Sequence, residues 1–336
     1  MNIDEAHYKE TREKKVYKLL LKFLYKVTLK LLGTPLYYIE YRNLIKSKYK
    51  LKYPPIFIIG PPRSGTTLLY QLMIHRFYLS YFPNIANWFN MAPVTVTKFA
   101  LRLTKPYVSD FTSNYGEIKG VMAPSEAGGI WNRWYPTEHE EGYNYTPKNF
   151  FNDQIKHLIY QTVAGIEVLF DAPFINKNVK HSVRILSLVE IFPDALFLRM
   201  IRDPYETAIS ILRGRKKIGA TSWWSVMPKE IDQLRNKDDI EQVAGQVYFV
   251  EKDILTDMKM VGEGRFFEVH YDDLCANPRK VLDEIATFYK RHGGELRIKY
   301  QIPSSFKKSR YEEQSLSKEE RQLKEILSKY YKNGDL

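Results

Sequence analysis

Residues 54–67 read PPIFIIGPPRSGTT, and this run constrains the fold more than any other. An unbroken apolar stretch of this length suits a strand covered on both faces, as in a parallel sheet. It enters a glycine loop, and TTLLYQLMIHRF (66–77) follows with helical spacing. The loop runs G-x-x-x-x-G-x-T from Gly60 to Thr67. Gly65 lets the backbone approach a ligand closely, successive N–H groups point at an anion, and the helix N-terminus adds a positive dipole. A P-loop for nucleoside triphosphates carries Lys where Thr66 stands here. The cradle therefore suits a phosphate but lacks the lysine that reaches the terminal phosphates of ATP. Arg63 supplies a planar cation instead.

The same alternation continues along the chain. Residues 173–177 (PFINK), 195–201 (ALFLRMI) and 265–271 (RFFEVHY) read as strands. Residues 181–192 and 278–292 read as helices, as does the stretch opening at Asp203-Pro204, with Asp as cap and Pro at the first helical position. Strands alternating with helices predict an α/β domain, a P-loop-like three-layer arrangement with a mostly parallel central sheet flanked by helices. The expected boundaries are 1–53 for an N-terminal helical segment, 54–315 for the α/β domain and 316–336 for a C-terminal helix. Residues 80–165, rich in Trp, Tyr, Asn and Gly, read as insertions that build an acceptor pocket.

Charge and cysteine content narrow the function. The first 53 of the 336 residues hold thirteen Lys and Arg against five Asp and Glu, so two thirds of the net +12 sits there. Nucleic-acid binding by the whole body is not called for. Within that segment, KKVYKLLLKFLYKVTLKLL (14–32) places Lys18, Lys22, Lys26 and Lys30 on one drifting helical stripe. Four lysines argue against a membrane span. Two readings stand: a helix lying in an anionic membrane interface, ended by Gly33 and Pro35, or a surface helix with a solvated basic face. Cys275 is the single cysteine, and the seven histidines form no HxxxH pattern, so neither a disulfide nor a metal site is expected. The expected compartment is the cytoplasm, peripheral to the inner face of the membrane.

A second anion site is suggested where residues 195–201 end in Arg202-Asp203-Pro204. Arg202 falls at a strand's C-terminal edge, where open α/β sheets bind ligands, and Ser210 lies on the helix that follows. The plain alternative for Arg202 is an ion pair with Asp203 or Glu206.

At this point the chain resembles the sulfotransferase family. Pro62-Arg63-Ser64-Gly65-Thr66-Thr67-Leu68-Leu69 is similar to the family's 5′-phosphosulfate loop, and Arg202-Asp203-Pro204 with Ser210 to its 3′-phosphate motif. Phe174-Ile175-Asn176-Lys177-Asn178 resembles the lysine-bearing strand, Phe192-Pro193-Asp194-Ala195 the run into the second motif, and His270-Tyr271-Asp272-Asp273-Leu274 a later family segment. The tyrosylprotein and bacterial polysaccharide-type branches look nearest. The resemblance spans about residues 55–310.

What the resemblance implies is a donor, 3′-phosphoadenylyl sulfate (PAPS), leaving as the 3′,5′-bisphosphate (PAP), with no metal. Sulfuryl transfer is an in-line displacement in which positioning and charge stabilisation do most of the catalysis. Arg63 and Lys177 are the implied catalytic cations, Lys177 assisting the bridging oxygen. Pro62, Ser64, Gly65, Thr66 and Thr67 would hold the 5′-phosphate, Arg202 and Ser210 the 3′-phosphate, and Tyr271 the nucleoside. Lys307 and Lys308 fall where the family closes a loop over the 3′-phosphate; a solvated charge run is the alternative.

The acceptor, a hydroxyl on a glycan, lipid or sterol-like molecule, needs a general base. The glutamate that the tyrosylprotein branch carries after the first helix has no counterpart, since residues 83–88 read PNIANW. Glu126 in Ala123-Pro124-Ser125-Glu126 resembles a Pro-x-Glu motif of the bacterial branch and is the first candidate. Glu138, His139 and Glu140 form a second. His75 and His181 read as packing residues. Trp131, Trp134 and Tyr135 suit either a sugar-stacking wall or the core. A divergent P-loop kinase, or a non-catalytic nucleotide-binding protein docked at a membrane, are the competing classes.

Overall fold

The computed structural model describes residues 34–113, 116–136, 144–219, 223–311 and 313–333. Four strands form the sheet: β1 Ile56–Ile59, β2 Ile175–Lys177, β3 Leu196–Ile201 and β4 Phe266–His270. Their spatial order is β2-β1-β3-β4 and all pairs are parallel. Ile58 faces Lys177 on one side and Leu198 on the other. β4 completes the sheet with Ile201 opposite His270.

The period-two alternation of a strand sends neighbouring residues to opposite faces. Ile56, Ile58, Leu198 and Met200 pack with Leu72 and Met73 of helix Thr66–Arg76 and with Leu282 and Ile285 of helix Pro278–Arg291. Phe57, Ile59 and Phe197 pack the other way, with Trp131, Val163 of helix Asp153–Phe170 and Val250 of helix Asp239–Val261. The result is the three-layer, mostly parallel α/β architecture that the sequence predicts, with two cores on either side of one sheet.

Local chemistry sets most element ends. Asp203 Oδ1 accepts the Glu206 N–H at 2.8 Å and caps helix Pro204–Ile218, with Pro204 at its first position. Asn277 caps helix Pro278–Arg291 in the same way, accepting from the Lys280 N–H. Helix Lys318–Asn333 follows Ser317.

One local reading changes. The single helix expected over 181–192 is a 3₁₀ turn, Val179–Val183, and a separate helix, Ile185–Ile191. Asn178 caps the turn through Lys180 N–H, and the Ser182 hydroxyl is held on Gly60, so the chain tightens before it can start the helix. The basic stretch 14–32 lies outside the described residues. Just beyond it, residues 34–46 are helical. From this helix Glu40 reaches helix Pro93–Leu103 and accepts the N–H groups of Val94 and Thr95 at 3.1 and 2.8 Å. It serves as a cap supplied from a distant segment. Among the described residues no helix is long and apolar enough to cross a membrane.

Candidate functional site

Because all four strands are parallel, their C-terminal ends share one edge of the sheet. The chain leaves β1 for β2 on one side and then crosses to β3 on the other. Such a reversal opens a crevice at the strand ends. There a cleft of about 470 Å³ is lined from every strand: Pro62, Arg63, Gly65, Thr66 and Thr67 after β1, Lys177 and Asn178 at the end of β2, Arg202 after β3 and Tyr271 after β4.

The loop after β1 is shaped as an anion cradle. Gly60, Arg63 and Gly65 all sit at positive φ (147°, 66° and 102°). A non-glycine residue held there costs on the order of 1–3 kcal/mol and persists only where its surroundings demand it. Gly65 is required twice over, since a Cβ would also lie 2.5 Å from the Tyr271 ring. Helix Thr66–Arg76 has no side-chain cap and no acidic residue in its first turn, so its first N–H groups and dipole remain for an anion. Thr66 and Thr67 line the cleft. Ser64 does not: its hydroxyl turns inward and donates to the Pro61 carbonyl at 2.8 Å. Its role is to shape the loop.

The second group assembles against the first. Arg63 Nε donates to Ser210 Oγ at 3.2 Å. Arg202 Nη1 donates to the Arg63 carbonyl at 3.0 Å and Nη2 to the Ser309 carbonyl at 2.6 Å. Its guanidinium lies 4.5 Å over the Tyr271 ring, a cation–π contact. The pairing with Glu206 also exists, at 3.2 Å, so the two readings of Arg202 are not exclusive. Lys307 and Lys308 do not line the cleft; Ser309 of the same run does. Lys307 is exposed, and Lys308 and Arg310 both pair with Asp272, at 3.2 and 2.9 Å.

Opposite the cradle, Lys177 Nζ makes an ion pair with Glu126 Oε1. The lysine side chain is 4% exposed and the carboxylate 33%, so the acid faces the cleft and the cation is seated in the wall. Gly116 passes over the pair, and any side chain there would run into it. A cation and a carboxylate that share one contact beside an anion cradle can serve charge stabilisation and proton acceptance in one place.

His181 is fully buried, edge-on to Trp131 at 4.7 Å between ring centroids, and burial holds its imidazole well below the ordinary range. It stays neutral and donates Nε2–H to Asn176 Oδ1, as a packing residue does. His75 makes its contact with the Gln301 carbonyl at 2.9 Å, away from the cleft. Trp131 and Tyr135 belong to the core, and Trp131 Nε1 donates to Asn176. Trp134 packs against that core and under Arg133, so none of the three lines the cleft. Glu138, His139 and Glu140 lie outside the described residues. Among those described, no group of three or more His, Cys, Asp and Glu is placed to hold a metal.

Several cleft residues carry no role in the sequence reading. Asn178, Trp224 and Ser225 line it, and Ser225 sits at φ 76°. The two asparagines flanking Lys177 in a buried strand were a usable signal, because buried amides need partners. Nothing local marks Trp224.

A parallel α/β sheet with an anion loop at its switch point defines a class; family-level comparison narrows it. Residues 54–291 match the sequence model of the sulfotransferase family, which is most of the chain, and the protein belongs to that family. Two curated relatives, the omega-hydroxy-beta-dihydromenaquinone-9 sulfotransferases Stf3 of Mycobacterium bovis and Mycobacterium tuberculosis, are each 25% identical over 249 residues. The match covers 68% of this chain and 61% of theirs, so this chain spans less than two thirds of their length. Among solved structures, sulfotransferase STF9 from Mycobacterium avium superposes with a TM-score of 0.53 at 16% identity, over 88% of this chain and 79% of that one. That likeness is one of fold.

Proposed function

We propose that this sulfotransferase takes its sulfuryl group from 3′-phosphoadenylyl sulfate and delivers it to a hydroxyl of a lipid-like acceptor. The observation that carries the reading is the convergence in one cleft of an anion cradle lacking the ATP lysine, a second basic group at Arg202, and the Lys177–Glu126 pair. The family membership supports the donor, and the hydroxylated menaquinone in the names of the two relatives supports a lipid acceptor.

In this reading the amides of the loop, with Thr66 and Thr67, hold the 5′-phosphate. Arg202, Ser210 and Tyr271 hold the 3′-phosphate and nucleoside. Glu126 takes the proton of the acceptor hydroxyl as its oxygen bonds to sulfur. The bond from sulfur to the bridging oxygen breaks on the opposite side. Arg63 and Lys177 neutralise the charge gathering on the equatorial and leaving oxygens. The bisphosphate departs and Glu126 returns its proton to water. Nothing in this scheme requires a metal.

Calorimetric titration with adenosine 3′,5′-bisphosphate, beside ATP with magnesium, tests the donor. Binding of the bisphosphate with ATP much weaker is expected; preference for ATP with magnesium would overturn the assignment. Radiolabelled donor presented with polyprenol-like alcohols, sterols and glycans tests the acceptor class.

The basic stretch 14–32 serves, on this reading, to bring the enzyme to an anionic membrane surface on the cytoplasmic side. Deleting residues 1–33 is expected to abolish flotation with phosphatidylglycerol vesicles while leaving turnover of a short soluble alcohol unchanged. Undiminished flotation would remove this role.

A further inference from the structure

Strand β2 runs into Asn176-Lys177-Asn178, and all three side chains reach the same loop, residues 125–127. Lys177 takes the Glu126 carboxylate. Asn176, fully buried, donates Nδ2–H to the Ser125 carbonyl at 3.3 Å, and Asn178, 3% exposed, donates Nδ2–H to the Glu126 carbonyl at 3.1 Å. The Tyr70 hydroxyl donates to the same Ser125 carbonyl at 3.3 Å. Ser125 Oγ accepts the Ala127 N–H at 3.0 Å, and Ala127 is held at φ 57°. The main chain on both sides of Glu126 is therefore tied down independently of its carboxylate.

The orientation of Asn176 is set by its own partners. Its Oδ1 accepts from Trp131 Nε1 and His181 Nε2, both at 2.9 Å, which leaves the NH₂ group for Ser125. A buried polar group satisfied at every atom is rigid and costly to rearrange.

We infer that Asn176 and Asn178 are positioning residues for Glu126, fixing the loop so that the carboxylate keeps its place when Lys177 turns to the transferring group. The inference rests on Glu126 being the base in the proposed reaction. The need follows from chemistry. One ammonium cannot both hold the carboxylate and neutralise the leaving oxygen at full strength. A glutamate anchored through Lys177 alone would lose its anchor at the moment of transfer. Displacement of a reacting group by about 1 Å can cost up to 10²-fold in rate.

Asn178 has two separable jobs. Its Oδ1 accepts the Lys180 N–H at 3.0 Å and caps the 3₁₀ turn, while its Nδ2 serves Glu126. Asn178→Ser keeps a capping oxygen but is too short to reach the Glu126 carbonyl. The experiment measures kcat, KM, bisphosphate affinity and Tm for Asn178→Ser, Glu126→Gln and the double variant. Asn178→Ser is expected to lower kcat about tenfold, with bisphosphate affinity and Tm unchanged, and to cause no further loss in the Glu126→Gln background. Full activity of Asn178→Ser beside a crippled Glu126→Gln overturns the inference. So does an equal tenfold loss in both backgrounds, since Asn178 would then act through something else. Full activity of Glu126→Gln removes the base assignment itself, and that variant alone reports it. Should Asn178→Ser lower Tm, Asn178→Asp, which keeps the capping oxygen and the shape but loses the donor to the Glu126 carbonyl, decides by the same cycle: a kcat loss that vanishes without Glu126 supports the clamp, and no loss overturns it.

Discussion

The two walls of the cleft are built on different terms. One comes from residues that directly follow parallel strands: the loop 60–67, Arg202 and Tyr271. Each is held by backbone and by its neighbours, Arg63 to Ser210, Arg202 to the Arg63 carbonyl, Tyr271 against Gly65. The other is assembled from single residues of distant loops: Ser113, Gly116, Glu126, Trp224 and Ser225. An anion asks for converging N–H groups and cations, which strand ends and a helix N-terminus supply. Discrimination among ligands asks for shape, and loops on a rigid scaffold vary shape most readily.

Removing the group where the walls meet is expected to have the largest effect. Lys177→Ala should lower kcat by about 10²–10³-fold and leave bisphosphate affinity within a factor of a few; equal loss of both would place Lys177 wholly on the strand-end wall. Arg202→Ala comes next. Losing a buried charge-assisted anion contact is worth about 2 kcal/mol, or roughly 30-fold in bisphosphate affinity. A loss of kcat without loss of affinity would break the division of labour.

Trp224→Ala probes the loop wall. An increase in acceptor KM of about tenfold, with unchanged bisphosphate affinity, is expected from the loss of an aromatic contact. The reverse pattern would move Trp224 to the donor side.

The smallest effect concerns how that loop is seated. Its following residues rest on helix Asp239–Val261, where Asp253 accepts the Lys229 N–H at 2.9 Å and Asp257 lies beside Lys229 and Tyr145. Burial pushes both carboxyls up to about 7. A carboxyl raised in the folded state binds a proton that the unfolded chain has already released. Its contribution is full at low pH and is lost as pH rises through about 7. Asp257→Asn should therefore raise Tm by a few degrees at pH 8, and by less at pH 5. Equal shifts at both values would mean that the carboxyl is not proton-linked to folding.

Much of the strand-end wall is legible in the chain because its residues are contiguous. A buried strand, a glycine loop and a helix must follow one another within a dozen residues, and Arg202 and Asp203 sit where a second strand stops. Ser64 shows the limit even there: a loop motif does not say which hydroxyl faces in and which faces out. Lys307 and Lys308 show it again, since position in a motif-sized run does not tell a cleft contact from an ion pair with Asp272.

The amino-acid sequence by itself determined the parallel three-layer sheet, the anion loop and the identity of Lys177 and Glu126 as candidates. The sheet and the loop rest on short-range patterns of burial, turn chemistry and capping, whereas Lys177 and Glu126 became candidates through the family resemblance of their motifs. The tertiary structure decided that Glu126 and Lys177, 51 residues apart, meet. It also decided that Trp131 and Tyr135 go to the core and that Asn176 and Asn178 grip the loop opposite. The physical reason is range. Strand and helix periods act over a few residues, whereas a side chain's partner is set by which loops the parallel crossovers bring to the same edge of the sheet.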